Sequence, residues 1–566
     1  MECFSPQIDP KPSHAVLPFD KRIEITDWIF GIMHEAEFNI EVIQLCIILF
    51  DKYQSINHIP HDQAQLIMSV CWYLADSYTR HHDISIDDII VLTEYSFTEN
   101  DFFKKEEEVL RTLNFKLCLE TPYDQLVSYM TQHSSNKHLI ESDADALMLY
   151  LSTMLVMTGY YLYFDHVALA SIIFKFCYMF VDTHSNKIKL SIELNTNASY
   201  AFLYLFWKRI VNLNCPNLKT GFSIDSLQNI SNKSVPPLKC EFIFEEISNK
   251  LLKKNKEIFE AKNKSITNAP ILTINRTDIA TIHKELGSGT YSVVYKVTLV
   301  NGLLCAGKKI KSEYLEEGLS PSILRELSYL NILSHPNIIN TYGLIYNMPK
   351  NKLYILFELM ETNLTDYIRS HSDITYAQQV FFIQDILKGL EYLHRLQISH
   401  RDLYPNNILV KGNTLKIADF GLSRRLTQNL MGNVYTNEIC SIFCRPVEIL
   451  LGKVCYGCEI DMWSCGCIIY YILYGQFLFK HETKGGMLDQ IFNILGYPDE
   501  TIHSEMYNLG TNIVTNQQKS KPIGFGNLGI RYPAEAKLIY QMIDYDVTNR
   551  MSAEEAVSIY AEELKN

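Results

Sequence analysis

The chain has 566 residues, with 51 basic against 64 acidic side chains and a formal charge of −13. It is too long for one hydrophobic core, and too acidic to be organised around nucleic acid or a membrane surface. Hydrophobic residues make up 47% of it, enough for several cores, and 14 cysteines scattered without a compact framework are expected as reduced thiols of an intracellular protein, in cytoplasm or nucleus.

The first residues, MECFSPQIDPKPSH, lack the basic start and apolar core of a secretion signal. Apolar residues then recur at three-and-four spacing over 23–33, 42–50, 64–74, 86–95 and 103–113, which predicts about five helices in a bundle. The stretch 146–164, ALMLYLSTMLVMTGYYLYF, is uncharged over nearly the length of a membrane span. Its Ser152, Thr153, Thr158, Gly159 and tyrosines predict a buried helix instead. Residues 213–278 shift to Asn, Ser and Lys and read as a linker with one polar helix over 245–262. Its Lys250, Lys253, Lys254 and Lys256 fit either a solvated helix face or a nuclear signal. As a flexible chain the linker spans roughly 40 Å, a tether giving effective concentrations approaching mM.

Strand-like alternation begins near His283. ELGSGTYSVVYKV (285–297) reads as strand, turn, strand, in which Gly287 and Gly289 let backbone amides approach phosphates and Ser292 replaces a third glycine. CAGKKI (305–310) is the next strand, and its Lys308 needs a carboxylate to orient it. Glu326 is the candidate, on a helix predicted over 316–330 from Leu319, Ile323, Leu327 and Leu330, with Ser320 as N-cap and Pro321 in the first turn. Taken alone, Arg325 and Glu326 off that apolar stripe read as a solvated face. YILFELME (354–361), HRDLYPNN (400–407) and IADFGLSR (417–424) follow. Asp402 is placed to accept or orient a hydroxyl proton, and Asn407 and Asp419 to hold Mg2+ between phosphates.

These motifs carry two family resemblances. KRIEITDW (21–28), CIILFDKY (46–53), VCWYLADSY (70–78) and EEEVLRTLNFKLCLETPYDQL (106–126) resemble the first cyclin box, and YFDHVALASIIFKF (163–176) resembles the second. The implied domains are 19–130 and 140–212, the first helix being anchored by Arg22, Asp27 and Trp28. Ser77 stands where cyclins place a kinase-contacting lysine, although its acidic partner is kept as Glu106. Lys21 replaces an apolar residue of the substrate-docking patch, of which Ile25 and Trp28 remain.

Residues 279–563 resemble the eukaryotic protein kinases, in the cyclin-dependent branch. EEGLSPSILRE matches its PSTAIRE helix, NVYTNEICSIFCRPVEILLG (433–452) its activation segment, DMWSCGC (461–467) its buried helix and LDQIFNILGYPDE (488–500) its insert. The resemblance implies all-α cyclin-like domains followed by a bilobal α+β kinase fold, using ATP and Mg2+. It places Gly287, Gly289, Val294, Ala306, Lys308, Phe357, Glu358 and Met360 around the nucleotide, and Asp402, Lys308, Glu326 and Asn407 in catalysis. Asn407 and Asp419 are the metal ligands. Thr436 aligns with an activating phosphothreonine clamped by Arg325, Arg401 and Arg424. Thr290 and Tyr291 align with inhibitory phosphorylation sites, Arg445 with the arginine that shapes a pocket for proline, and Arg550 with the partner of Glu448.

Departures from the family pattern are specific. Tyr404 replaces a lysine on the transferring phosphate, a loss of ~2.7–4 kcal/mol in the barrier by analogy with one missing electrostatic donor. Pro446 and Val447 alter the Ala-Pro-Glu brace. Of Cys440, Cys444, Cys455, Cys458, Cys465 and Cys467, Cys455 and Cys458 alone have zinc-knuckle spacing, without a ligand histidine, so zinc is not expected. The expectation is a single-chain cyclin and cyclin-dependent kinase, a proline-directed Ser/Thr kinase of protein substrates whose activator is attached. Tyr404 motivates a non-transferring scaffold as the rival, and Ser77 an engagement of other cyclins or kinases in trans.

Overall fold

The computed structural model describes residues 17–79, 84–119, 121–133, seven positions between 152 and 173, and 279–564 apart from 316–318, 348–351, 372, 427–438, 455, 499–523 and 525–530. The chain forms two compact units, Met1–Pro270 and Ile271–Asn566. Most of the expected second helical repeat, and all of the 213–278 linker, lie outside the described residues.

The described part of the first unit is helical: α1 (Phe19–Glu35), α2 (Ile40–Gln54), α3 (Ala64–Thr79), α4 (Ile86–Leu92), α5 (Glu99–Thr112) and α6 (Pro122–His133). Periodicity missed the sixth. Its start is nevertheless written in sequence: Thr121 Oγ1 accepts from Asp124 N at 3.0 Å, and Asp124 Oδ2 accepts from Thr121 N at 2.8 Å, a reciprocal cap with Pro122 in the first turn. Ser85 with Asp88 and Thr98 with Asp101 cap α4 and α5 in the same way. Nearly every residue of α2 and α3 is buried, which makes them the centre of the unit. Arg22 of α1 is anchored as expected, reaching both Asp51 oxygens at 2.8 and 2.6 Å in the interior. Ser77 and Glu106 are both buried. Polar side chains of the uncharged 146–164 stretch meet the core too, where Gln44 Nε2 donates to Ser152 Oγ at 3.0 Å. Among the described residues no helix is long and apolar enough to cross a membrane.

The second unit begins with a five-stranded antiparallel sheet in the order β1-β2-β3-β5-β4, formed by β1 (Ile279–Ser288), β2 (Ser292–Leu299), β3 (Leu304–Ile310), β4 (Thr341–Asn347) and β5 (Lys352–Glu358). Val297, Leu299, Cys305, Ile345, Tyr354 and Leu356 form a core against it. Between β3 and β4 lies α7 (Pro321–Ile332). It starts later than the predicted 316, and Ser320 occupies the N-cap position without a side-chain cap bond, so Pro321 marks the start by its fixed φ.

The remaining elements are short strands and helices: β6 (Thr362–Asn363), α8 (Leu364–Ser370), α9 (Tyr376–Arg395), β7 (Ile398–Ser399), β8 (Ile408–Lys411), β9 (Thr414–Ile417) and β10 (Arg424–Arg425). Then come α10 (Val447–Leu450), α11 (Glu459–Tyr474), α12 (Lys484–Leu495), α13 (Pro533–Met542) and α14 (Ala553–Glu563). α11 is apolar all round and correspondingly buried. Strands β6-β8-β9 make one small sheet and β7-β10 a ribbon, so residues 400–407 and 418–423 are loops held at both ends. Gly389 lets α9 press on that platform, because a Cβ there would lie 2.9 Å from Ile417 Cδ1 and 3.2 Å from Asn337 O.

Candidate active site

Lys308 lies mid-strand in β3, opposite Val294 of β2 and Ile355 of β5. Its Nζ donates to both oxygens of Glu326 on α7, at 2.7 and 2.8 Å. The solvated-face reading of Arg325 and Glu326 fails, since they are 1% and 4% exposed. Burial pushes the Glu326 carboxyl up, and it opposes the charge on Lys308 as well. Glu326 and Asp419 together outweigh that penalty and hold the lysine above its ordinary range. With both carboxylate oxygens bonded to one ammonium, the pair is ionised.

Asp419 Oδ1 sits 3.7 Å from Lys308 Nζ, and the lysine keeps its carboxyl below the usual range against the opposing effect of burial. Its φ of 67° is left-handed backbone in a non-glycine residue, a strain that aims the side chain. Asn407 Nδ2 donates to Asp402 O at 2.9 Å and Asp402 Oδ2 at 3.0 Å, so Oδ1 is the amide atom left to meet a cation. One carboxylate and one amide oxygen beside a phosphate site suit Mg2+, which takes few protein oxygens and completes its shell from water and substrate phosphates. Burial raises the Asp402 carboxyl, while His400 and hydrogen bonds from Asn407 and Ser441 pull it back in part.

The glycine loop fits phosphates by elimination. Neither Gly287 nor Gly289 has left-handed φ. A Cβ on Gly287 would meet nothing within 4 Å, and one on Gly289 only Ser292 O at 3.8 Å. Packing does not require these glycines, and the open space beside them suits close approach by a ligand. Ala306 pairs with Phe357 across β3 and β5, and both are buried, as is Met360. Val294 is half-buried. Glu358 gives its N–H to Asn340 O at 3.0 Å, and its side chain is bound by Lys416 at 2.6 Å, so its carbonyl is the group it has for a base.

Around the activation segment, Arg325, Arg401 and Arg424 are all buried. Arg325 Nε donates to Gly421 O at 3.0 Å, and Arg401 Nη2 to Tyr456 Oη at 2.6 Å. Thr436 lies outside the described residues. Thr290 and Tyr291 are exposed at the loop tip, where Lys311 Nζ reaches Thr290 O at 2.8 Å and the ring of Tyr291 packs edge-on against Tyr314. Arg550 reaches both oxygens of Glu448 at 2.8 and 3.1 Å, with both side chains fully buried. Burial pushes the thiols of Cys440, Cys444 and Cys465 upward.

Ser441, Asp461 and His400 were not singled out from the sequence, and Cys440 and Tyr404 were named there without their packing roles. Ser441 N and Oγ donate to Asp402 Oδ1 at 3.1 and 3.3 Å, a bond its position within the activation segment hints at. Asp461 of α11 accepts from Ser399 Oγ, His400 N and Arg401 N at 3.0, 2.8 and 2.9 Å, clamping the backbone just before Asp402. His400 is fully buried, edge-on to Phe420 at 5.2 Å. Cys440 has a left-handed φ of 59°, with its carbonyl held by Arg445 Nε and Nη2 at 3.1 and 2.8 Å and its N–H given to Arg401 O at 3.0 Å. Tyr404 packs parallel to Phe477, ring centroids 5.6 Å apart.

Comparisons with known proteins place both units in families. Residues 280–560 match the family model of the protein kinase domain, and residues 4–118 that of the cyclin N-terminal domain. Two proteins of Acanthamoeba polyphaga mimivirus, with the words serine/threonine-protein kinase in their names, are each 29% identical. The alignments cover 98% and 94% of this chain and 98% and 96% of theirs. Cell division control protein 2 homolog 3 of Trypanosoma brucei brucei is 35% identical over 50% of this chain and 89% of its own length. Cyclin-dependent kinase 1 of Encephalitozoon cuniculi is 34% identical over 49% of this chain and 93% of its own.

Proposed function

Because the chain belongs to the protein kinase family and carries a cyclin N-terminal domain in the same polypeptide, we propose that it is a proline-directed protein serine/threonine kinase activated in cis by that domain. In this reading Lys308, oriented by Glu326, binds phosphate oxygens of ATP. The amides of the 287–289 turn close over them, and Ala306, Phe357 and Met360 enclose the base. Asn407 and Asp419 hold Mg2+, which neutralises charge developing on the phosphates. Asp402, fixed by Asn407 and Ser441, orients the substrate hydroxyl and takes its proton as the γ-phosphoryl group passes to that oxygen.

The preference for proline rests on Cys440. Its carbonyl is engaged by Arg445 and its N–H by Arg401 O, so a substrate residue docking beside the acceptor finds no backbone partner for its own N–H. Proline has no N–H to leave unsatisfied, and other residues lose about 1–3 kcal/mol there. The cis reading is supported by the shared polypeptide, and by alignment of one mimivirus relative over 98% of both chains.

Peptides differing only as Ser-Pro or Ser-Ala, offered to the purified chain with Mg·ATP and no added cyclin, test both parts. We expect transfer to Ser-Pro at about tenfold or greater preference in kcat/KM. Equal use of the two peptides would remove the proline reading, and a requirement for added cyclin would remove activation in cis.

A further inference from the structure

We propose that the cavity carrying Arg369 and Lys480, beside the catalytic loop, is a substrate subsite for an anionic side chain flanking the phosphoacceptor: Asp, Glu or a phosphorylated residue. The cavity has a volume of roughly 650 Å³, room for a long side chain and its hydration. Its apolar walls include Tyr471 and Phe477, and Gln476 and Gln490 add polar groups. Among the described residues lining it, Arg369 and Lys480 are the charged ones, and no carboxylate joins them. In a chain of net charge −13, two cations without a lining acid form a local reversal of sign.

The cavity is joined to the catalytic loop by an aromatic stack. Phe477 packs on Tyr404 at 5.6 Å with planes 6° apart, on Tyr471 at 4.7 Å and on Phe443 at 5.0 Å. Tyr404 lies two residues beyond Asp402, and Phe443 two beyond Ser441, which bonds Asp402. Arg369 is carried by α8, which is tied to the same loop through the hydrogen bond from Thr365 to Asn406. Its positive charge is felt at the Tyr404 and Tyr471 phenols, which it pulls down against the larger upward effect of burial. Asp366, one turn earlier on α8, accepts from Asn363 Nδ2 at 2.7 Å and does not line the cavity, and its charge raises the Tyr471 phenol by less than Arg369 lowers it. Gln490 accepts from Lys480 N and donates to Lys480 O at 2.9 Å, fixing the main chain from which the ammonium projects. A peptide with its hydroxyl at Asp402 therefore passes a wall that stacks on apolar groups and attracts anions.

The inference rests on the kinase reading above. The test uses the full chain with Ser-Pro peptides in which each flanking position is in turn Ala, Lys, Asp or phosphoserine. At one or two positions, Asp or phosphoserine is expected to lower KM about tenfold relative to Lys, with kcat little changed. Separating the Asp and phosphoserine arms shows which anion is preferred. In R369E/K480E the preference should reverse to Lys, and in the milder R369Q/K480Q it should vanish. Transfer without an acidic preference, or the same preference in both variants, overturns the subsite alone. Failure to phosphorylate any peptide overturns the kinase reading and the subsite with it, with D402N as the reference for zero transfer.

Discussion

In the proposed mechanism Asp402 acts as a base only when ionised, and its surroundings pull in two directions. Burial and the charge of Asp419 raise its carboxyl, whereas His400 and the hydrogen bonds from Asn407 and Ser441 lower it, with burial the largest effect. Activity should therefore fall on acidification while ordinary exposed carboxylates are still ionised. Ser441→Ala removes the hydroxyl's hydrogen bond to the charged form and keeps the one from Ser441 N, so the carboxyl rises further and the acidic limb of the kcat/KM profile moves to higher pH. A limb that stays in place would show that Asp402 is not the titrating group. Tyr404 could be read in sequence as a missing charge but not as a packing residue. Its partner Phe477 is distant in the chain, and stacking with a far residue leaves no local pattern. Cys440 could be named in sequence only as one of a cysteine cluster, because a left-handed φ in a non-glycine residue has no signature of its own.

At the scale of elements, the ionic bridges join pieces that local structure does not bring together. Lys308 to Glu326 links a strand to a helix, and Glu448 to Arg550 links α10 to the turn before α14. The second bridge is fully buried, and the Arg550 guanidinium also lies 5.2 Å from the centre of the Trp463 ring. Arg550→Met strands a carboxylate in the interior and should cost about 3–5 kcal/mol in a denaturant titration. Adding Glu448→Leu should recover most of that loss, and a double variant no more stable than the single would argue against the stranded charge as its cause. Both bridges were legible because their residues sit in long ordered motifs. The Asp461 clamp was not, since its acceptor lies in a helix that reads in sequence only as apolar and buried. Helix positions followed periodicity closely, and the starts at Ala64 and Ile86 were met, but other starts were not. Pro321 sets where α7 begins, and the Thr121–Asp124 cap announces an α6 that hydrophobic spacing passed over.

For the molecule as a whole, covalent attachment changes how activation depends on concentration. A flexible tether gives an effective concentration approaching mM, far above that of dilute protein in solution. Specific activity of the intact chain should thus be unchanged on dilution. A cut introduced by an engineered protease site within 213–278 should make it fall as the two pieces are diluted. Loss of activity on diluting the uncut chain would indicate pairing between chains instead.

Mechanical stiffness is distributed unevenly within the second unit. β1 has nine of its ten residues exposed, and its pairing with β2 breaks register three times. α9 is pressed against β9 so closely at Gly389 that a single methyl group would not fit without movement. One side of the cleft is thus an anvil and the other a spring, and backbone amides of β1 open at low energetic cost while those under α9 resist. In the proposed mechanism, a spring of this kind would rise to release spent nucleotide without disturbing the alignment of Asp402, Asn407 and Asp419, so that turnover and precision belong to different layers of one domain.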